Sequence, residues 1–463
     1  MSSPSPARRA ACRALLDVAT GRLDSARAVA RARAQLDDER DRALAAEIVL
    51  GTLRWQGALD AALASLASRP ISELDLPVLV VLRLSAYQLL WLSRVPAHAV
   101  VHDAVALTRL AGRPRAAGFV NAVLRHLDPE AARAAWPPPP DPAAGRDAAA
   151  VREAAVDYLV RALSHPAWLA RRWLERVGVE AAIAWARFDN TPAPLTLRVN
   201  RLRTSAGALT AELEAHGVRV EPARWAPDAL VVVEGQPLQT PLAGRGLFVA
   251  MDEGSQLVGL LAASLGRGGP ALDACAAPGG KTLILAAADP PPGLLVACDL
   301  RPRRLERLRA ALREAGAGGV RVVRADVEAG VPFQPAFDLV LVDAPCSGLG
   351  TIRREPEIRW RRTPDDLPRL AAAQRRMLAG AASAVRPGGR LVYATCSSEP
   401  EENEEVVSAF LAERPDFRRL EPRVHPFAGT PRAALLDAVG DLRTRPHLHQ
   451  LEGFYAAVLV RAG

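Results

Sequence analysis

The sequence predicts a multidomain protein: an all-α helical bundle, then a small α+β unit, then an α/β domain built on a doubly wound parallel sheet. Three observations predict it. From Pro6 to about Asp128, Ala, Leu and Arg dominate and apolar residues recur at three- and four-residue spacing, as in Ala45, Ile48, Val49 and Leu53. The run Trp136-Pro-Pro-Pro-Pro-Asp-Pro142-Ala-Ala-Gly145 has the composition of a semi-rigid extended linker. From Leu272 onward, short β-rich runs alternate with helical stretches, the signature of parallel strands joined by crossover helices.

Taken in order, Pro70, Pro77, Pro96 and Gly112-Arg-Pro114 divide the first 130 residues into several helices. Residues 131–150 form the expected linker. Residues 151–250 form the α+β unit: a helical piece to about Phe188, a strand at Pro194 to Asn200, a helix at Ala206 to His216, and strands at Val218 to Glu221 and Ala229 to Val233. Residues 251–463 carry strands at Leu272–Cys275, Leu294–Asp299, Val320–Asp326, Asp338–Asp343 and Arg390–Thr395, and Phe454 to Val460 forms a last strand. Helices fill Arg301–Glu314 and Asp365–Val385. No internal repeat is visible.

Charge and cysteine usage narrow the class. The chain of 463 residues carries 59 basic and 51 acidic side chains, a net charge of +8 that favours an anionic partner, nucleic acid first. Its five cysteines, at 12, 275, 298, 346 and 396, are odd in number, far apart and never spaced Cys-x-x-Cys. That argues against a disulfide framework or a metal site and for a reduced, cytoplasmic setting. The segment after Arg8-Arg9 holds Arg13 and Asp17 where an export signal needs an apolar core. The longest apolar stretch, Leu76 to Leu92, contains Arg83, Tyr87 and Gln88, which suits a buried helix better than a membrane span.

The chemistry concentrates at strand ends. Phe337-Asp338-Leu-Val-Leu-Val-Asp343 is a buried strand that delivers a carboxylate, Asp343, and then Pro345 and the thiol Cys346. Gly348 and Gly350 let the backbone turn away. In open α/β sheets ligands bind outside the carboxyl ends of strands. A buried cysteine at a strand-to-loop corner is the plain alternative. It weakens because Arg390-Leu-Val-Tyr-Ala-Thr395 delivers a second thiol, Cys396, in the same setting.

A glycine loop, Asp273-Ala-Cys275-Ala276-Ala277-Pro278-Gly279-Gly280-Lys281-Thr282, follows the first strand of the sheet and opens a helix. A P-loop needs glycine where Cys275 stands, and the Gly-x-Gly-x-x-Gly dinucleotide spacing is absent. S-adenosylmethionine remains: it has no phosphate, its carboxylate suits a helix N-terminus, and Asp299 and Asp326 end the next two strands where ribose hydroxyls and an adenine amine could bond. Either aspartate alone could be a helix cap. Lys281 is the only lysine in the chain, and its place before the cofactor helix suggests a bridge to Asp343 that arginine is too large and too rigid to make.

These motifs resemble the RsmB/Sun-type RNA cytosine-C5 methyltransferases. The resemblance rests on Cys275 to Lys281, Asp343-Ala-Pro-Cys346-Ser-Gly-Leu-Gly350, Thr395-Cys396-Ser397 with Glu401-Glu-Asn-Glu404, Arg353-Arg-Glu-Pro-Glu-Ile-Arg-Trp360, and Asp252-Glu-Gly-Ser-Gln256. The first domain resembles the NusB-type RNA-binding bundle through Asp41 to Gly51, Val95-Pro-Ala-His98 and Gly118 to Arg125. Glu452-Gly-Phe-Tyr455 departs from the family's usual Asp-Gly-Phe-Phe, and residues 420–450 match weakly.

The resemblance implies a Rossmann-like catalytic domain, S-adenosylmethionine as cofactor held by residues 275–281, Asp299, Asp326 and Asp343, and 16S ribosomal RNA, free or partly assembled, as substrate. It implies Cys396 as nucleophile and Cys346 as helper in product release, and Asp343 fits the acid that such chemistry needs. Sequence physics alone leaves open which thiol attacks. Arg353, Arg354, Arg359 and Trp360 suggest an RNA-binding loop, since arginine and an aromatic suit unstacked bases; a solvated basic loop would show the same composition. A monomer without a metal is expected. Transfer RNA methylation and a non-catalytic antitermination factor are the competing functions.

Overall fold

The computed structural model describes residues 3–141 and 147–463. Contacts divide the chain into two compact units, Met1–Pro192 with Ile352–Arg362, and Ala193–Thr351 with Thr363–Gly463.

The first unit is helical. Helices at Pro6–Ala19, Ser25–Arg33, Glu39–Arg54, Gln56–Ala64, Leu76–Trp91, Ala97–Leu110 and Ala117–His126 surround a single core. Several start where a side chain caps them: Ser5, Asp24 and Asp38 each accept a backbone N–H of the first turn. Leu76–Trp91 is the central helix, buried on nearly every side. Arg83 and Gln88 within it are both matched. Arg83 makes a two-pronged pair with Asp60 at 2.7 Å, and Gln88 accepts from Arg8, whose other arm reaches Asp103. Gly51 is required because the Tyr87 ring lies where its side chain would stand. Among the described residues no helix is long and apolar enough to cross a membrane.

The expected linker is shorter than its composition suggests. Pro129–Ala134 is helical, Trp136 packs 5.5 Å from Trp91, and a further helix starts at Ala148. Pro142 to Gly145, the end of the proline-rich run, lie outside the described residues. Helices Ala148–Asp157 and Ala167–Asp189, the latter interrupted at Gly178 (φ +79°), belong to the helical unit, which ends at Pro192.

The second unit begins with a four-stranded antiparallel sheet: β1 Thr196–Val199, β2 Arg219–Pro222, β3 Ala229–Glu234 and β4 Phe248–Ala250, in order β2-β3-β1-β4. The helix Ala206–Ala215 covers it through Leu209 and Leu213. Strand β4 is not legible in the sequence, because its three residues pair only with β1 and carry no alternation long enough to read.

The main sheet follows: β5 Ala271–Asp273, β6 Leu295–Asp299, β7 Arg321–Arg324, β8 Phe337–Asp343, β9 Val385–Thr395, β10 Phe417–Arg419, β11 Leu442–Arg443 and β12 Tyr455–Arg461. Its order is β10-β12-β9-β8-β5-β6-β7, with β11 on β12. The five strands from β9 to β7 are parallel, as expected; β10, β11 and β12 are antiparallel, so the sheet is mixed. The chain runs outward from β5 to β7, then returns to β8 on the other side of β5. The crevice at such a reversal is where open α/β sheets bind ligands.

Candidate active site

The reversal places the carboxyl ends of β5, β8 and β9 side by side. The loop after β5 turns at Gly279 (φ +118°), a conformation that favours glycine, and leads into the helix Gly280–Ala286. The second residue of that helix is Lys281. Its Nζ donates to Asp343 Oδ2 at 2.6 Å and to Ser255 Oγ at 2.8 Å, with the Phe454 ring 6.0 Å away. Burial alone would lower its proton affinity, but the Asp343 carboxylate, helped by Cys396, outweighs it and holds the ammonium charged. The lone lysine therefore bridges the cofactor loop and the strand-end carboxylate, as its position suggested.

The two thiols meet. Cys346 Sγ lies 3.2 Å from Cys396 Sγ, and both residues are partly buried. Contact with Cys396, then burial, pushes the Cys346 thiol well up. Gly350 explains how the loops come so close. Its N–H donates to Cys396 O, its carbonyl accepts from Gly453 N–H, and a Cβ there would lie 1.9 Å from Gly453 O. The other cysteines are packing residues: burial pushes Cys12 and Cys298 up to about 12 and raises Cys275 further.

The acids near the ends of β5, β6 and β7 differ in their surroundings. Asp299 is buried, accepts from Arg301 N–H and faces Arg304 at 3.4 Å. Asp326 is exposed and caps Glu328 N–H. Asp273 is buried beneath the loop and accepts from Thr282 Oγ1 at 2.7 Å. Burial, reinforced by the Asp343 charge, raises it to about 7. A carboxyl whose folded value exceeds its unfolded value near 4 stabilises the protein most at low pH, and that contribution is lost as pH rises through about 7. Asp273→Asn should therefore gain on the wild type in melting temperature from pH 5 to pH 8. A margin that stays constant across that range would contradict the assignment.

The basic loop is corrected. Arg359 is fully buried, and its guanidinium donates to Ser164 O, Asn190 Oδ1, Asp189 O and Arg54 O. Trp360 Nε1 donates to Leu53 O at 2.8 Å, and its ring lies against Gly57. These two side chains are anchors within the helical unit rather than a surface for bases. Arg353 stacks 4.4 Å over Phe188 and donates to Pro192 O, while Arg354 is half-buried. Composition could not distinguish anchors from RNA contacts, because buried and solvated arginines read alike.

Two contributions were missed from sequence. Ser255, which accepts a hydrogen bond from Lys281 Nζ, lies in Asp252-Glu-Gly-Ser-Gln256, where the sequence marks no role for it. Glu402, buried between the thiol loops, likewise has none marked. The signal was present as a serine after each cysteine, Ser347 and Ser397, both bonded to that carboxylate.

A mixed sheet with this strand order, a glycine loop after β5 and reactive side chains at the ends of β8 and β9 defines a Rossmann-like methyltransferase. Comparison gives the family. The 16S rRNA methyltransferase RsmB/F family matches residues 264–460, its ferredoxin-like domain 165–239, and the NusB family 5–129. The probable ribosomal RNA small subunit methyltransferase B of Bacillus subtilis is 34% identical over 438 residues, covering 93% of this chain and 92% of the relative. The ribosomal RNA small subunit methyltransferase B of Pseudomonas putida is 35% identical over 466 residues, 98% of each. The crystal structure of PH0851 shares the fold, with a TM-score of 0.79 and 24% identity over 99% of both chains. The chain belongs to the RsmB/F family of 16S rRNA methyltransferases.

Proposed function

We propose that this protein methylates C5 of one cytosine in 16S ribosomal RNA, with S-adenosylmethionine as donor, through a covalent bond between Cys396 and C6 of the base. The observation that carries the reading is the pair of thiols 3.2 Å apart at the ends of adjacent parallel strands, with the Lys281-held Asp343 on the same edge.

The residues fit the cofactor. A P-loop lysine must be available to phosphates, whereas Lys281 is engaged by Asp343 and Ser255. Gly279 opens the backbone of the loop, and Asp299 and Asp326 stand at the ends of β6 and β7 to receive ribose hydroxyls and the adenine amine. Bound there, S-adenosylmethionine supplies an electrophilic methyl group.

C5 of cytosine is too weak a nucleophile to take that methyl unaided. The Cys396 thiolate adds to C6, and the C5–C6 π pair is pushed toward N3; N3 takes its proton from the Lys281 ammonium, relayed through Asp343, whose other oxygen accepts from the exocyclic amine. Lys281 holds Asp343 in place for this. The Cys346 and Cys396 sulfurs share a hydrogen bond before attack. Once the Cys396 sulfur is bonded to C6 it carries no thiolate charge beside Cys346. Cys346 can then lose its proton to solvent and take the proton of C5, the C5–C6 double bond re-forms, and the Cys396 thiolate leaves. Methylation of the exocyclic amine would call for an aromatic side chain where Cys346 stands.

The RNA class follows the names of the relatives. Arg353 and Arg354 keep part of their surface exposed and remain candidates for backbone contact. Bisulfite sequencing of ribosomal and transfer RNA from a deletion strain tests the reading. One protected cytosine of 16S RNA should become convertible and regain protection with the wild-type gene. Loss of protection only in transfer RNA would move the substrate, and no loss anywhere would favour a non-catalytic RNA-binding factor.

A further inference from the structure

We propose that Glu402 is the positioning residue that sets the two thiols at their working separation, a role that takes its catalytic meaning from the two-thiol reading above. Glu402 is completely buried at the end of the turn Pro400–Glu402 and touches both thiol loops. Oε1 accepts from Ser347 N–H at 2.8 Å and from Gln374 Nε2 at 2.9 Å. Oε2 accepts from Ser347 Oγ and Ser397 Oγ, each at 2.5 Å. Ser347 follows Cys346 and Ser397 follows Cys396, so one carboxylate ties the residues next to both thiols.

The hydrogen count makes the carboxylate necessary. Each serine hydroxyl has one proton, and both are directed at Oε2. The 3.1 Å contact between Ser347 Oγ and Ser397 Oγ then has no proton of its own. Those two oxygens stay together because a shared acceptor holds them. Gln374 extends the tie, since its Nε2 also donates to Pro345 O at 3.0 Å, on the other side of Cys346. The anchor itself is fixed from β9: Tyr393 Oη donates to Glu402 O, and the next residue, Asn403, bonds Thr395 Oγ1 and Ser397 O. Four donors on one buried carboxylate leave no place for an amide. In Glu402→Gln an NH2 facing the two hydroxyls turns them into acceptors and strands one hydroxyl proton, and an NH2 facing the two N–H donors sets donor against donor.

The thiol geometry can be read without RNA. Diamide takes two electrons and two protons from a neighbouring thiol pair and leaves a disulfide, so its rate of closing Cys346 onto Cys396, followed by peptide mass mapping, reports their separation. Glu402→Gln should slow that closure roughly tenfold or more and lower kcat for methylation by a similar factor, since misplacement of about 1 Å is costly to positioned reactants. KM for RNA and affinity for S-adenosylmethionine should stay near wild type. Ser347→Ala/Ser397→Ala, which removes both hydroxyl donors and leaves the carboxylate, should show the same pattern more weakly and carries the test if the glutamine variant does not fold. Wild-type closure rates in a folded variant would overturn the proposal, as would a loss of cofactor affinity equal to the loss of kcat. Slow closure in Glu402→Gln, beside a wild-type protein that makes no 5-methylcytosine, would uphold the positioning role and refute the chemistry.

Discussion

Cys396→Ala should abolish both methylation and any covalent RNA complex, while Cys346→Ala should accumulate a protein–RNA adduct that survives denaturant. The two thiols touch, so proximity alone would make them interchangeable; the raised Cys346 thiol favours Cys396 as the attacking sulfur. Cys346 is held protonated by its contact with Cys396 and by burial, which suits it to act after the attack and not as the attacking sulfur. Removing the nucleophile should cost on the order of 10⁴-fold or more in turnover. Removing the late-acting group should spare the first turnover up to methyl transfer and block release. Denaturing gels of each variant with 16S RNA and S-adenosylmethionine measure this directly, and an adduct in Cys396→Ala but not in Cys346→Ala would reverse the assignment.

Lys281→Arg should be nearly as damaging as Lys281→Ala, despite keeping the charge. The ammonium sits between Asp343 Oδ2 at 2.6 Å and Ser255 Oγ at 2.8 Å, with only 11% of its side chain exposed. A guanidinium is planar and larger, and it cannot place one donor on each oxygen at that spacing without moving the glycine loop or Asp343. Alanine leaves the Asp343 carboxylate without its cation in a partly buried site. Both variants should lose roughly 10²–10³-fold in single-turnover methylation, the scale expected when a preorganised charge is removed or misplaced. Calorimetry with S-adenosylmethionine separates loss of the cofactor from loss of the acid. An arginine variant equal to wild type in both measurements would make the lone lysine an accident of an arginine-rich composition.

Periodicity carried most of the fold. Long apolar runs such as Leu76 to Leu92 and the strand runs of β5 to β9 are local signals, and the elements lie where those signals place them. What depends on a distant partner was not legible. The antiparallel direction of β12 is set by its pairing with β9, and β4 exists only through β1. At the site, the residue types at strand ends were legible because each is a short motif, and the glycine loop excluded phosphate ligands by spacing alone. The network joining those motifs was not, because Glu402 and Ser347 are 55 positions apart, and serine, glutamate and glutamine have no pattern that marks them as partners. The arginines of residues 353–362 misled for the opposite reason. A clustered charge suggests a surface, yet Arg359 has its polar bonds inside the protein.

The central claim is that Cys396 forms a bond to C6 of a cytosine whose C5 then takes the methyl group. The most direct measurement uses the wild-type protein with S-adenosylmethionine and 16S RNA containing 5-fluorocytidine, where fluorine replaces the proton that must leave from C5. Nuclease digestion and peptide mass mapping then locate the trapped nucleotide. The account predicts one methylated fluorocytidine attached to the peptide containing Cys396. A nucleotide attached to Cys346, or full turnover of the fluorinated RNA with no attachment, would contradict it.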